Sequence, residues 1–294
     1  MHAGQLLVET SMVVRMVERQ FPQWRGLTVQ ALHTAATVNA VFRIGPDLAA
    51  RLPLAEEPDA VRARLAAEMD AAREFARVST VPVPTPVALA DPDPDSGYPM
   101  PWTVHTWLPG EDATVQDPAA STAFATDLAA LLAALRSAPT HGRGFTGTGR
   151  GGLLTDQDEW LERCFGESDG LLDVPRLRAL WTYLRILPRT DPDVMCHGDL
   201  TPPNLLVRGP NLVGVLDAGG FAPADPALDL VSAWHLLDEQ PRELLRRETG
   251  CDDVQWQRGM AWAFTQAMGL VWYYADSNPV MSRRTLQRIV DASG

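Results

Sequence analysis

Between Val194 and Asp229 the chain reads VMCHGDLTPPNLLVRGPNLVGVLDAGGFAPADPALD, and three side chains in it are spaced for chemistry on a phosphate. Asp199 follows His197 and Gly198, Asn204 lies beyond a Thr201-Pro202-Pro203 bend, and Asp217 ends a second apolar run. A carboxylate can aim a hydroxyl and take its proton, while a second carboxylate and an amide oxygen can hold Mg2+ against nucleotide phosphates. Asp199 suits the first role, and Asn204 and Asp217 suit the second. Taken singly, an H-G-D tripeptide is most often a loop built on an Asx-turn. Three such groups at the ends of two matched apolar strands rarely arise by chance.

Those strands must do the positioning. Residues 205–207 and 212–216 are apolar, and Arg208-Gly209-Pro210-Asn211 between them is turn chemistry, so the spacing predicts a hairpin that returns Asp217 beside Asn204. The order H-x-D-x-x-x-x-N, strand, turn, strand, D-x-G is the signature of protein-kinase-like phosphoryl transfer. On His197-Gly198-Asp199-Leu200, Asn204, Asp217 and Asp225-Pro226-Ala227-Leu228-Asp229-Leu230, the chain resembles the aminoglycoside phosphotransferases and their macrolide-phosphorylating relatives. The resemblance runs from about Asn39 to the Trp-rich C-terminal end. It implies an α+β, two-lobed protein-kinase-like fold, with an N-terminal antiparallel five-stranded sheet, one key helix and a mainly helical C-terminal lobe. It also implies ATP or GTP as phosphoryl donor, an antibiotic as acceptor, and a hinge at His105, Thr106 and Trp107 beside the base. In kinase-like loops the residue at His197 is architectural, and Asp229 is expected to brace the loop or cap its helix.

The N-terminal part carries the nucleotide-side expectations. All 25 basic residues are arginine, so the lysine that usually holds the phosphates from the third strand is missing. Arg51, near the end of the third predicted strand, is the natural replacement, since a guanidinium forks across two phosphate oxygens. Residues 60–78 read as a helix with Val61, Leu65, Met69, Ala72 and Phe75 on one face. Glu68 falls near the middle of that face, where an unpaired carboxylate is costly, and Arg51 is its expected partner. The loop at 33–37 lies where a glycine-rich cover would be yet contains no glycine; backbone amides near Ala36 and Thr37, with Asn39, are its candidate phosphate contacts. Residues 142–152 are rich in glycine but lack the G-K-[ST] ending, and they read as a flexible connection.

A length of 294 residues, 46% of them hydrophobic, allows two lobes of ordinary size, placed at 1–107 and 108–294. A formal charge of -12 argues against a nucleic-acid partner and would welcome a cationic small molecule. Three unclustered cysteines and no secretory signal suggest a reducing cytoplasm, and no apolar run is long enough to span a bilayer. Asp156, Asp158, Glu159 and Glu162, with Asp238, Glu239, Asp252, Asp253 and Asp276, would suit a cationic acceptor. Trp234, Trp256, Trp262, Trp272, Tyr273 and Tyr274 are core material first, and a bulky apolar acceptor's wall second. Two other functions share the central motif: a metabolic hydroxyl kinase of the choline, homoserine or sugar type, and a catalytically silent nucleotide-binding protein.

Overall fold

The first third of the chain folds into the five-stranded antiparallel sheet that the resemblance implies. The computed structural model describes residues 6–32, 39–54, 58–147, 149–273 and 279–293. Ala36, Thr37, Tyr274 and Asp276 lie outside the described residues, as do the side-chain surroundings of Tyr273. The chain divides into two compact units, residues 1–77 with 83–109, and residues 78–82 with 110–294.

In the first unit, β1 (Val29–Leu32), β2 (Asn39–Ile44), β3 (Leu48–Pro53), β4 (Pro86–Ala90) and β5 (Trp102–Thr106) stand in the order β1-β2-β3-β5-β4. The centre of the sheet is β3, where Arg51 pairs in register with Val41 of β2 and Thr103 of β5. Phe42, Ile44, Leu52, Trp102 and Val104 point into a core that Val61 and Leu65 close from α2 (Pro58–Val78). The N-terminal helix α1 (Thr10–Gln20) contributes Val13, Met16 and Val17 to this same core. On α2 the buried stripe is Val61, Leu65, Met69, Ala72 and Phe75, as the periodicity predicts.

The second unit is mainly helical. It contains α3 (Thr122–Ser137), α4 (Asp158–Glu167), α5 (Val174–Leu184), α6 (Val231–Leu236), α7 (Glu239–Thr249), α8 (Asp253–Tyr273) and α9 (Pro279–Ala292). A short strand β6 (Glu111–Asp112) pairs with β8 (Leu205–Arg208), which forms the predicted hairpin with β9 (Asn211–Val215). Gly209 turns that hairpin at φ +59°, a region open to glycine. Asp127 of α3 locks the turn by accepting from Leu212 N–H and Asn211 Nδ2, both at 3.1 Å. A separate two-stranded ladder pairs β7 (Val194–Cys196) with β10 (Ala222–Ala224).

A buried ion pair ties these pieces together. Arg258 of α8 reaches Asp225 Oδ2 with Nη2 at 2.6 Å and Nε at 3.0 Å, and Trp262 Nε1 donates to the same oxygen at 3.0 Å. Arg258 also donates to the carbonyls of Leu187 at 2.6 Å and Gly152 at 3.4 Å. The end of the glycine-rich segment, Gly151 and Gly152, is therefore packed. Gly151 sits at φ +102°, a Cβ there would lie 2.8 Å from that of Ala224, and its carbonyl accepts from Asp225 N–H at 3.0 Å.

Removing one member of a fully buried pair strands the other charge, at a cost of about 3–5 kcal/mol. Arg258→Ala or Asp225→Ala is expected to destabilise the protein by that amount in calorimetric or denaturant unfolding. Arg62→Ala, which removes an exposed pair with Asp91, should change stability by less than about 1 kcal/mol.

Candidate active site

The catalytic-loop motif lies in the second unit, where β7 delivers the chain to His197. The N–H groups of His197 and Gly198 both donate to one carboxylate, Asp229, at 2.8 Å to Oδ2 and 2.8 Å to Oδ1. That carboxylate is buried. Burial pushes its pKa up from the ordinary aspartate value, opposed by His197 and by the two N–H donors. Gly198 takes φ +83°, which lets the chain turn sharply between the two donors.

His197 then joins the loop to the end of β9. Its Nδ1 accepts from Asp199 N–H at 3.2 Å, so the ring proton belongs on Nε2, which faces Leu216 O at 2.9 Å. Leu216 N–H returns a bond to Asn204 O at 2.8 Å. Asp217, the next residue, adopts φ +59°, a left-handed conformation that aspartate tolerates better than most side chains. The imidazole thus spans the gap between the loop that carries Asp199 and the strand end that carries Asp217.

Asn204 closes the arrangement. Its Nδ2 donates to Asp199 O at 2.9 Å and to Asp199 Oδ2 at 2.9 Å. The amide nitrogen is thus engaged by Asp199, and Oδ1 is the acceptor atom of the side chain. His197, Asp199, Asn204, Asp217 and Asp229 are therefore brought together by a short chain of hydrogen bonds and peptide links.

The first unit holds the other predicted site residues. Arg51 lies on the central strand and Asn39 opens β2 opposite Pro53; Asn39 Oδ1 is buried without a hydrogen-bond partner among the described residues. At the expected hinge, His105 is buried with Nε2 3.1 Å from Thr103 Oγ1. Thr106 N–H donates to Thr85 O at 2.9 Å and Trp107 N–H to Asp47 O at 2.7 Å, so these two amides serve the sheet. The Arg43 guanidinium stacks 5.0 Å over the Trp107 ring.

Glu68 corrects its prediction. It lies on the shoulder of the buried stripe, and its carboxylate pairs with Arg64 one turn earlier, at 2.5 Å, not with Arg51. The i,i+4 geometry of a helix supplies a cation with no tertiary cost, and partial exposure removes the need for a buried one.

Sequence reasoning missed Arg150. Its Nη1 lies 3.1 Å from Asp199 Oδ1. It also missed His235, which Gln266 Oε1 at 2.7 Å and Thr285 Oγ1 at 3.0 Å flank in the interior, and whose pKa burial pushes down to about 4. Four of the nine acids expected to greet a cation are held by arginines. Arg185 and Trp181 Nε1 hold Asp158, lowering its pKa mainly through the Arg185 hydrogen bond. Glu162 is paired with Arg178, Asp238 with Arg288 at 2.9 Å and Asp253 with Arg246. Among the aromatics, Trp234, Trp256 and Trp262 are core, while Trp160 is exposed, its ring 5.9 Å from that of Trp272.

This architecture has known counterparts. An aminoglycoside 2'-phosphotransferase-IIIa solved as its GDP complex is 18% identical, with 98% of this chain and 100% of that one covered and a TM-score of 0.72. A related complex with GDP and kanamycin is 18% identical, covers 96% and 99%, and gives 0.70. A macrolide 2'-phosphotransferase from Brachybacterium faecium, solved as apoenzyme, is 18% identical, covers 95% and 97%, and gives 0.62. At such identities the likeness establishes the kinase-like fold. No curated protein matches the chain in sequence. The model of the phosphotransferase enzyme family, however, matches residues 19–262 and so takes in both units and the whole catalytic loop. The chain therefore belongs to the phosphotransferase enzyme family and is a small-molecule phosphotransferase.

Proposed function

We propose that this enzyme moves the γ-phosphoryl group of ATP or GTP onto a hydroxyl of a small natural product, in the manner of an antibiotic-inactivating kinase. The observation that carries this reading is the Asp199–Asn204 contact with Asp217 one residue beyond the Leu216–His197 hydrogen bond. It supplies a carboxylate for the nucleophile and, beside it, an amide oxygen and a second carboxylate for a metal. Solved structures of similar fold hold GDP, and in one case GDP with kanamycin, which supports a nucleotide donor and a hydroxylated acceptor.

Asn204 and Asp217 are the residues that would hold Mg2+, an ion that keeps water and phosphate oxygens as its other ligands. When bound, such an ion neutralises charge on the donor phosphates. Asp199 orients the acceptor hydroxyl and takes its proton at a carboxylate oxygen as the bond to the γ-phosphorus forms and the bridging bond from that phosphorus to the departing nucleoside diphosphate breaks. Asn204 keeps the Asp199 carboxylate from rotating, and His197 with Asp229 keeps the loop at a fixed height against β9. On the nucleotide side Arg51 is assigned to the phosphates. Its position on the central strand of the sheet supports that assignment, whereas Glu68, paired within its own helix, is no longer needed as its brace. Residues 105–107 are assigned as neighbours of the base, read through groups other than the Thr106 and Trp107 amides. The thiols of Cys164 and Cys196, free and buried, are compatible with a reducing cytoplasm, and no helix among the described residues is long and apolar enough to cross a membrane.

Asp199→Asn should lower phosphoryl transfer by about 10²–10⁴-fold, the usual worth of a positioned base. Nucleotide affinity, followed by titration calorimetry, should stay within a factor of about 3 of wild type; retained turnover would remove Asp199 from the role. For Arg51→Ala, nucleotide binding is expected to weaken by at least about tenfold, the equivalent of about 1.4 kcal/mol, and unchanged affinity would sink the phosphate assignment. Asp229→Ala leaves the His197 and Gly198 N–H groups without their acceptor and lets the loop shift. A kcat loss of about 10²-fold with little change in KM is the expected signature, measured on whichever acceptor a mass-spectrometric screen identifies.

A further inference from the structure

The contact between Arg150 and Asp199 stands apart from the ion pairs on the protein's surface. Both oxygens of the Asp199 carboxylate are engaged, Oδ1 by Arg150 Nη1 at 3.1 Å and Oδ2 by Asn204 Nδ2 at 2.9 Å. The Arg150 and Asp199 side chains are 36% and 40% exposed, so the pair by itself adds little stability. What distinguishes it is the mount. Gly151 and Gly152 follow Arg150, and a Cβ at either would lie 2.8 Å from Ala224 or 2.7 Å from Phe145. Their carbonyls accept from Asp225 N–H and from Arg258. Asp225 follows β10, and β10 pairs with β7, the strand that delivers His197. Arg150 and Asp199 therefore hang from one buried frame, and the guanidinium is presented to the carboxylate by built structure.

His235, which lies within electrostatic reach of both Asp199 and Arg150, is buried and neutral. Asp158 and Glu162 are held by arginines, and Arg163 stacks 5.0 Å over the Trp272 ring. The overall charge of -12 attracts cations at long range, but beyond about 10 Å that field is screened at ordinary salt. At contact distance the group that an acceptor meets beside the general base is a guanidinium.

We propose that Arg150 is a specificity-determining residue of the acceptor site, admitting hydroxyl compounds that are neutral or anionic around the attacked hydroxyl and rejecting polycations. This rests on the phosphotransferase reading and deepens it. An ammonium placed next to the attacked hydroxyl meets a like charge, whereas a carboxylate, phosphate or neutral hydroxyl can accept from the free edge of the guanidinium. Removing the arginine uncovers the Asp199 carboxylate, which would then attract a polycation.

The test is calorimetric titration of kanamycin into the full-length protein loaded with magnesium and a non-hydrolysable nucleotide, for wild type, Arg150→Gln and Arg150→Lys. The Gln variant should bind kanamycin at least tenfold more tightly than wild type, and the Lys variant should behave as wild type. A gain of binding cannot come from misfolding. Equal or weaker kanamycin affinity in the Gln variant overturns the assignment, as does an equal gain in the Lys variant. Magnesium-nucleotide affinity in the same samples separates the two levels. A wild type that binds no nucleotide defeats the phosphotransferase reading, whereas intact nucleotide binding with unseparated kanamycin affinities defeats the Arg150 assignment alone.

Discussion

One buried carboxylate holds the catalytic loop in shape. Asp229 accepts the N–H groups of two consecutive residues, His197 and Gly198, and those two amides set where Asp199 begins. A carboxylate that accepts two backbone donors is stabilised as an anion, yet burial works in the opposite direction and raises its pKa. The balance leaves a group that strongly needs both donors, so a loop that slips would uncover an unsatisfied acid in the interior. That penalty, larger than the gain from either bond alone, makes the loop's geometry nearly all-or-none.

From this anchor, position passes outward by hydrogen bonds of ordinary length. His197 carries it to Leu216, Leu216 to Asn204, and Asn204 back to Asp199, so the Asp199 carboxylate, the Asn204 amide and the approach to Asp217 share one circuit. A second buried anchor, Asp225 with Arg258 and Trp262, fixes the β10 side of the same loop and the glycine segment that presents Arg150. Two acids four residues apart thus serve two different tasks: one holds backbone donors, the other a helix and a loop.

Charge in this chain is local. Arginine, the only strongly basic residue type present, can form planar, bidentate and stacked contacts that lysine cannot. Here it stacks on Trp107, Trp234, Trp256 and Trp272 and ties down acids across the second unit. A net excess of acids therefore coexists with an Asp199 carboxylate that is flanked by a cation.

The elements, and the order of the motif residues along them, were legible in the amino-acid sequence. The apolar stripe from Val61 to Phe75 made α2, and turn residues at Gly209 and Pro210 made the hairpin that carries Asn204 and Asp217. These features are legible because backbone periodicity and turn preference act over a few residues, and because H-x-D, N and D have a spacing that few structures other than this hairpin require. Only the tertiary structure decided which charges meet. Glu68 on a helical wheel looked central to the buried face, but the actual packing left it on the shoulder with Arg64. Arg258 lay hidden in an apolar helix until Asp225 was placed beside it, and Arg150 looked like part of a loose glycine run until its neighbours were packed against Ala224 and Phe145. Pairings between residues dozens of positions apart depend on how elements dock, and one sequence with its local rules carries no distance information of that range.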